Sequence, residues 1–308
     1  QFSHSNLRYS GTMPTMRYAS MLCLLLILTP QASVADFLAG PYLQRPTPSS
    51  MVIGFESGTD TTSEVLWGIS PKLGNQTTGN WIPSSAGTHI HHVELTGLQP
   101  GTRYWYVAQT ESSASDTWSF TTPPSGQDEA PMTFLAMSDA QIGSDSTKLA
   151  EIVNDGIIPF MLVDSGGQDL ASSTDFMIIP GDLVGTGTNH SHWTDHFFGQ
   201  AGPVLREVPL LPALGNHEIN ASLYFEYFDL PTDSGTENWY VTDLGNVRVI
   251  TLDSNIGGQS QLLWLDDLLS QAADMNEIDF VIAQLHHPHQ SEQWLPGEST
   301  FTTNVVER

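Results

Sequence analysis

The sequence predicts an all-β sandwich followed by an α/β domain, and two observations support this fold class. The first part alternates short apolar stretches with Gly, Pro, Asn and Ser, which is typical of antiparallel strands joined by turns. After residue 131, apolar runs are separated by longer segments with a period of 3.6 residues, which indicates helices. Buried strands that alternate with helices indicate an α/β domain.

Composition agrees with two globular domains and excludes one class of function. The chain has 308 residues, of which 39% are hydrophobic, enough for two buried cores. Lys+Arg number 9 against 34 for Asp+Glu, and the formal net charge is -25. Because binding to a nucleic-acid backbone needs clustered Lys and Arg, nucleic-acid binding through basic residues is excluded. Any affinity for phosphate would have to come from something other than basic side chains, and bound metal cations are the obvious candidate.

The N-terminal segment has the pattern of an export signal. Residues 16–35 begin with a basic residue, continue with a short apolar run and end with small residues, Ser33 and Ala35. This pattern predicts cleavage after Ala35, no stable membrane anchor, and a secreted or periplasmic protein. Residues 1–35 are therefore interpreted as upstream residues plus signal peptide. The single cysteine, Cys23, lies in this segment, so no disulfide is expected in the mature chain.

The predicted sandwich covers residues 36–124 and is followed by a linker at 125–131. Its strands are read from five runs: MVIGFES, SEVLWGI, HHVELTGLQPG, TRYWYVAQT and DTWSFTTPP. In the third run, alternation places His89 and His91 on one face and His92 on the other, and all three are interpreted as surface residues.

The predicted α/β domain covers residues 132–308. Its buried strands are read from the runs MTFLAM, DFMII, VRVITL and DFVIAQL. Helical spacing places Leu149, Ile152 and Val153 on one face of a first helix. A second helix is predicted from another set of leucines: Leu262, Leu265, Leu268 and Leu269.

Polar clusters follow four of the predicted strands at their carboxyl ends, where α/β domains hold their chemistry. The clusters are Ser138-Asp139, Gly181-Asp182, Gly215-Asn216-His217-Glu218 and His286-His287-Pro288. Oxygen and nitrogen ligands without thiolate suit Fe, Zn or Mn, and a carboxylate such as Asp182 can bridge two ions about 3.5–4 Å apart. Each cluster alone is also compatible with an ordinary turn, so the metal site rests on the four in combination.

A third histidine-rich segment has two interpretations. It contains His190, His192 and His196. The favoured interpretation is a polar loop that runs into an amphipathic helix, and the alternative is a separate metal cluster.

These motifs resemble the calcineurin-like metallophosphoesterases, and within them the purple acid phosphatases with a fibronectin type III-like N-terminal domain. The resemblance rests on GPYLQ at 40–44, LTGLQPGTRYWY, GDLV, PALGNHE and LHHP. It implies that the α/β domain is a two-sheet α/β/β/α sandwich.

The resemblance also implies a binuclear metal site. Asp139 would bind the first metal ion and Asp182 would bridge the two, while Asn216 and His286 would bind the second. The ions would be Fe, Zn or Mn.

The resemblance implies catalytic roles for the two residues after Asn216. His217 would contact the phosphoryl group or protonate the leaving oxygen, and Glu218 would orient His217. The implied reaction is hydrolysis of small phosphomonoesters by a metal-bound hydroxide, as in acid phosphatases.

The sequence departs from the family pattern at several positions. Gly185 stands where purple enzymes have a tyrosine, so no iron charge-transfer colour is expected. Gln141 stands where related enzymes have a histidine, and it is a weaker possible ligand. His287 and His289 are possible metal or substrate contacts. The family's final Gly-His-x-His motif is not reached before Arg308, so we expect a missing C-terminal segment, and the polypeptide itself can be inactive.

Two alternative functions stay open on these grounds. The same scaffold serves phosphodiesterases and nucleotidases, whose substrate choice depends on loops that the motifs do not define. The second alternative is a non-catalytic cell-surface binding module in which the sandwich makes the contacts and the phosphoesterase half is degenerate.

Overall fold

The computed structural model describes residues 37–126, 130–141, 147–164, 166, 169–292 and 300–308. The predicted signal peptide lies outside the described residues, as do three residues of the predicted linker. None of the helices within these ranges combines the length and the apolar character needed to cross a membrane.

The N-terminal part is a sandwich of two antiparallel sheets, with strand orders β5-β6-β2-β1 and β4-β3-β7-β8. Its strands are β1 (Ala39–Thr47), β2 (Ser50–Ser57), β3 (Glu64–Gly68), β4 (Asn75–Thr78), β5 (Asn80–Pro83), β6 (His89–Thr96), β7 (Arg103–Gln109) and β8 (Trp118–Thr121). The alternating pattern on these strands sends apolar side chains between the sheets, where residues such as Ile53, Phe55 and Phe120 are fully buried. The predicted sandwich is confirmed, and its fibronectin type III label stays a prediction.

The α/β part contains two further groups of strands. The strands β9 (Phe134–Ala136), β10 (Phe176–Pro180) and β11 (Leu210–Ala213) are parallel neighbours in the order β11-β10-β9. A separate sheet contains β12 (Tyr240–Leu244), β13 (Val247–Thr251) and β14 (Phe280–Gln284), with β12 antiparallel and β14 parallel to β13. Apolar residues of the two sheets meet in one cluster, which contains Phe176, Ile178, Leu211 and Val249.

Helices cover the outer faces of both sheets, which completes the predicted α/β/β/α layers. They are α1 (Lys148–Glu151), α2 (Ile158–Asp164), α3 (Leu170–Ser173), α4 (Gly199–Leu205), α5 (Ser222–Tyr227), α6 (Gln259–Asp274) and α7 (Thr300–Val306), with π-helical segments at Ile152–Ile157 and His192–Phe198. Leu262, Leu265 and Leu268 of α6 pack on β13, as the leucine spacing predicts. Trp193 of the second π-helical segment is fully buried on the other side of the molecule.

One sheet continues across the predicted domain boundary. Strand β1 pairs in parallel with β11 through Gln44 and Leu210, so four sandwich strands and three α/β strands form a seven-stranded sheet. Tyr42 of β1 donates a hydrogen bond to the carbonyl of Tyr227 at 2.6 Å and stacks on Phe198. The boundary at 125–131 therefore separates two sequence patterns that share a core, and it stays a prediction.

One expectation about the sandwich is wrong. His91, expected at the surface, is completely buried, because it shares one face of β6 with Val93 and Leu95, which pack in the core between the two sandwich sheets. Its two ring nitrogens contact the hydroxyl groups of Ser57 and Ser63. His89 and His92 are half-buried, and His92 Nε2 donates to the Tyr227 carbonyl at 3.1 Å.

Two further expectations are corrected by local geometry. Ile152 is 44% exposed although Leu149 and Val153 are buried, because a π-helical turn begins at Ile152 and changes the period of the helix. Strands β9 and β14 were expected to be buried on both faces, but each is the last strand of its sheet, and Phe134 and Phe280 are exposed.

Candidate metal centre

The site is built on the carboxyl ends of β9, β10, β11 and β14, which lie at one edge of the two packed sheets. Asp139 follows β9 and Asp182 follows β10, and both adopt the left-handed backbone conformation, with φ of 54°. Asp is tolerated there better than most residues because its short polar side chain bonds locally. Both aspartates thus lie just past the ends of two neighbouring parallel strands.

Three of the predicted ligands converge directly. One ligand atom each from Asp139, Asp182 and His286 lies within 4.8 Å of the others, a spacing that fits a bound metal ion. The fourth, Asn216, places its Oδ1 atom 2.9 Å from His286 Nε2. The structure therefore brings together all four side chains that the sequence predicts as ligands.

The tautomer of His286 fits a cation at this point. Its Nδ1 atom lies 3.0 Å from the carbonyl oxygen of Pro180, which can only accept, so Nδ1 carries a proton. The Nε2 atom faces two oxygens, Asn216 Oδ1 and Asp182 Oδ2, the latter at 3.4 Å. The lone pair of His286 Nε2 would repel those of the two oxygens, so a positive centre is needed between them, either a proton or a metal ion.

Gln141 supplies a further oxygen atom that could bind a metal ion. Its Nε2 atom donates to Asp182 Oδ2 at 3.1 Å, while its Oε1 atom is buried and has no hydrogen-bond partner among the described residues. A buried acceptor without a partner is costly, and a metal ion near Asp182 would satisfy it. Gln141 thus fits as an oxygen ligand at the position where related enzymes have a histidine.

The electrostatics of the cluster favour ionised ligands. Burial by itself raises the pKa of the Asp182 carboxyl, but hydrogen bonds from His286 and from the His217 backbone N–H outweigh it and lower the pKa below its usual value. Burial by itself lowers the pKa of His286, but Asp182 outweighs it and raises the pKa. Asp182 is therefore a carboxylate at neutral pH, as a metal ligand must be.

Two glycines allow the loops to approach each other this closely. A Cβ atom on Gly215 would lie 2.2 Å from both the backbone nitrogen and Oδ1 of Asp182. A Cβ atom on Gly181, which has φ of 90°, would lie 2.8 Å from His286 Cγ. The close approach expected of the glycines before Asp182 and Asn216 is confirmed.

Glu218 holds the loops together through their backbones. Its carboxylate, 1% exposed, accepts hydrogen bonds from the N–H groups of Asp182, Val184 and Gly215 at 2.9, 3.2 and 2.7 Å. Burial raises its pKa, although these backbone hydrogen bonds oppose the shift. The expectation that Glu218 orients the His217 ring is corrected, because the ring is held by another group.

That group is the carbonyl of Gly185, the residue at the family's tyrosine position. His217 Nδ1 donates to Gly185 O at 2.8 Å, which leaves Nε2 as the free nitrogen of the ring. The Nε2 atom lies 3.7 Å from Asp182 Oδ2, and 39% of the side chain is exposed. His217 therefore presents Nε2 at the open side of the cluster.

The remaining predicted contacts lie beside the cluster. His287 Nδ1 lies 2.8 Å from Ser254 Oγ, and His289 Nδ1 lies 3.1 Å from Thr303 Oγ1. Both rings are thus engaged with neighbouring hydroxyl groups.

His190 is engaged outside the cluster, because its Nε2 contacts the buried Glu56 at 2.7 Å. His192 begins the π-helical segment, which agrees with the loop-and-helix interpretation of this segment.

Sequence reasoning missed one bracing pair, Asp253 and Asn255, which follow β13. Asn255 Nδ2 donates to the carbonyl of Gly215 at 3.2 Å and to Asp253 Oδ1 at 2.9 Å. Asp253 is fully buried and also accepts from Asn238. The signal was present in the polar LDSN segment at the end of a buried strand.

The layered sheets, with side chains at their strand ends that could hold a metal ion, are those of a metallophosphoesterase fold. The model of the calcineurin-like phosphoesterase family matches residues 132–305, and the model of the purple acid phosphatase N-terminal domain matches residues 41–122. The chain belongs to the calcineurin-like phosphoesterase family and carries this N-terminal domain.

Individual relatives agree with this assignment. An uncharacterised protein of Mycobacterium tuberculosis is 26% identical over 270 residues, covering 72% of this chain and 50% of that protein. Purple acid phosphatase 23 of Arabidopsis thaliana is 26% identical over 308 residues, covering 82% and 66%. The chain spans about half to two thirds of the length of the curated relatives it matches.

A solved structure shares the fold. The purple acid phosphatase PPD1 from yellow lupin (Lupinus luteus) seeds superposes with a TM-score of 0.61 at 18% identity, covering 79% of this chain and 50% of that chain.

Proposed function

We propose that the protein hydrolyses small phosphomonoesters at a pair of metal ions held by Asp139, Asp182, Asn216 and His286. The observation that carries this proposal is the convergence of three of these side chains within 4.8 Å, together with the unpartnered Gln141 Oε1 atom. When bound, the ions would neutralise the phosphoryl oxygens and activate a water molecule. Fe, Zn and Mn all suit this set of ligands.

The ligands would divide between the two ions. Asp139 would hold the first ion, with Gln141 as an additional oxygen ligand, and Asp182 would serve both. Asn216 and His286 would hold the second ion, and their 2.9 Å contact supports this pairing. Metal binding requires displacement of the hydrogen bonds that now join these atoms, so affinity increases with pH where His286 loses its proton.

His217 acts on the substrate. Its Nδ1 proton is fixed on Gly185 O, so Nε2 is available to contact a phosphoryl oxygen or, when protonated, to donate a proton to the leaving oxygen. Glu218 positions the reacting groups by fixing the two loops that carry Asp182 and Asn216. His287 and His289 are possible further contacts for the substrate.

The substrate is small and phosphorylated, because the described part of the site supplies no Lys or Arg to bind a longer polyanion. With a net charge of -25, the protein relies on metal ions to attract phosphate.

The test is the variant Asp182→Asn, compared with Asp233→Asn at an exposed position. Asn tolerates the left-handed backbone of residue 182, so the fold is retained. We expect hydrolysis of 4-nitrophenyl phosphate to fall at least about a hundredfold and metal affinity at least about tenfold, with an unchanged circular dichroism spectrum. Unchanged turnover would reject the shared-ligand role.

The same assay separates the alternatives. A higher rate on bis(4-nitrophenyl) phosphate than on the monoester would indicate a phosphodiesterase. Metal binding without turnover of either compound, in a protein extended beyond Arg308, would indicate a non-catalytic module.

We propose in addition that the protein is exported and cleaved after Ala35. The support is the pattern of residues 16–35 in the sequence. N-terminal sequencing of the exported protein should begin at Asp36, and a product that retains Cys23 would reject the cleavage site.

A further inference from the structure

Arg206 is an exception among the basic residues of this acidic protein. The described part of the chain contains seven Lys and Arg residues, and five of them form ion pairs with carboxylates: Arg45, Arg103, Lys148, Arg248 and Arg308. The remaining two are Lys72, which is exposed on a loop, and Arg206, which is partly buried. Since carboxylates outnumber basic groups almost fourfold, an unpaired, partly buried arginine needs a physical reason.

The Arg206 side chain is held in place by an aromatic ring. Its guanidinium carbon lies 3.7 Å from the centroid of the Trp118 ring, an arrangement that stabilises a cation. Its Nε atom is buried without a partner among the described residues. Burial lowers the pKa of Arg206, although the guanidinium stays charged at neutral pH. The ring thus fixes a positive group that forms no ion pair among the described residues, although Glu207 and Asp116 lie near enough to favour its charge.

This guanidinium lines a cavity between the sandwich and helix α4. The cavity has a volume of about 320 Å³ and is formed by the start of β1, the segment before β8 and one side of α4. Its walls include the apolar side chains of Phe37, Pro41, Trp118 and Phe198. The carboxylate of Asp116, an exposed residue, also lines it. None of the predicted metal ligands contributes to its walls.

The residues that line the cavity favour one kind of ligand. We propose that this cavity binds a small monoanion with a carboxylate at one end and a flat apolar body, such as an aromatic monocarboxylate. The guanidinium matches the two oxygens of a carboxylate. Aromatic and proline walls favour a flat apolar body. The carboxylate of Asp116 and the large negative net charge disfavour dianions and polyphosphates.

The test uses benzoate as the probe and isothermal titration calorimetry on the full chain. We expect binding to the wild type in the micromolar to millimolar range, about tenfold weaker binding to Arg206→Gln, and wild-type affinity in Lys72→Gln, which changes the net charge equally. Benzyl alcohol, which lacks the carboxylate, should bind at least about tenfold more weakly than benzoate.

A second variant fills the cavity without removing the charge. A Cβ atom on Gly202, which lines the cavity, would meet no atom within 4 Å, so the backbone there accepts a side chain, and we expect that of Gly202→Leu to occupy the cavity. This variant should also lose benzoate binding while its thermal unfolding stays unchanged, which keeps the test valid if Arg206→Gln is destabilised.

Two results would overturn the proposal. Equal binding of benzoate to the wild type and Arg206→Gln would place the ligand elsewhere, for example at the metal centre. Absence of binding to the wild type at millimolar concentrations would show that the cavity takes no such ligand.

Discussion

The carboxylate of Glu218 accepts a hydrogen bond from the backbone N–H of Asp182 at 2.9 Å, and this contact connects the two loops that carry the proposed metal ligands. The same Oε2 atom accepts from Gly215 at 2.7 Å. One buried carboxylate thus fixes the distance between the residue after β10 and the residues after β11. A metal site spread over separate loops needs such a brace, because small displacements of the ligands weaken binding.

We predict that Glu218→Gln weakens this brace. Glutamine has one acceptor oxygen for three N–H donors, and its amide group would face donors in a buried site. Unfolding free energy should fall by about 2 kcal/mol and metal affinity by about 10–100-fold, measured by chemical denaturation and metal titration. The exposed Glu277→Gln is the control. Equal metal affinity in the two variants would contradict the positioning role.

We predict that Gly215→Ala disrupts the metal centre. The added Cβ atom would lie 2.2 Å from Asp182 Oδ1, so one loop must move away from the other. Metal affinity should fall at least about tenfold. Gly156→Ala is the matched control, because a Cβ atom there would meet no atom within 4 Å and alanine favours the helix. A metal titration that does not distinguish the two variants would count against the observed loop packing.

We predict that His91 makes the stability of the protein depend on pH. Burial, assisted by the charge of His89, lowers the pKa of His91 to about 4. The unfolded chain takes up a proton near pH 6.5, whereas the folded protein does so only near pH 4. The unfolded state therefore binds more protons between these values, and stability falls as the pH falls, by up to about 3 kcal/mol. Denaturation at several pH values should give a smaller fall for His91→Gln.

We predict that the sandwich and the α/β part unfold together. Tyr42 joins them through its hydrogen bond to the Tyr227 carbonyl and its stacking on Phe198. Tyr42→Ala should cost about 3–5 kcal/mol and lower one common transition. Thermal unfolding followed by circular dichroism and by tryptophan fluorescence checks this. Two separate transitions, with only one affected, would show that the parts are independent.

The sequence predicts the elements and the clustering of four polar side chains better than it predicts their surroundings. The proximity of Asp139, Asp182, Asn216 and His286 was predictable because each follows an apolar strand, and the ends of these strands in the two packed sheets meet at one edge. The burial of His91 did leave a signal in the sequence, because alternation places it on the same face of β6 as the apolar Val93 and Leu95, which lie in the sandwich core.

Long-range contacts account for the other differences. The pairing of Gln44 with Leu210 leaves no local signal, because it joins strands that are far apart in the chain. The role of Glu218 was assigned to its neighbour His217, whereas its actual partners include Asp182, on a different loop. The π-helical turn at Ile152 arises from packing and lies outside the ordinary helical period.

The most direct test of the metal centre is anomalous X-ray diffraction from crystals of the protein grown with Mn²⁺ or Zn²⁺. The account predicts anomalous peaks within about 2.0–2.3 Å of ligand atoms of Asp139, Asp182, Asn216 and His286, with Asp182 shared between two peaks. Peaks confined to other histidines, such as His192 and His196, with none among these four side chains, would contradict it.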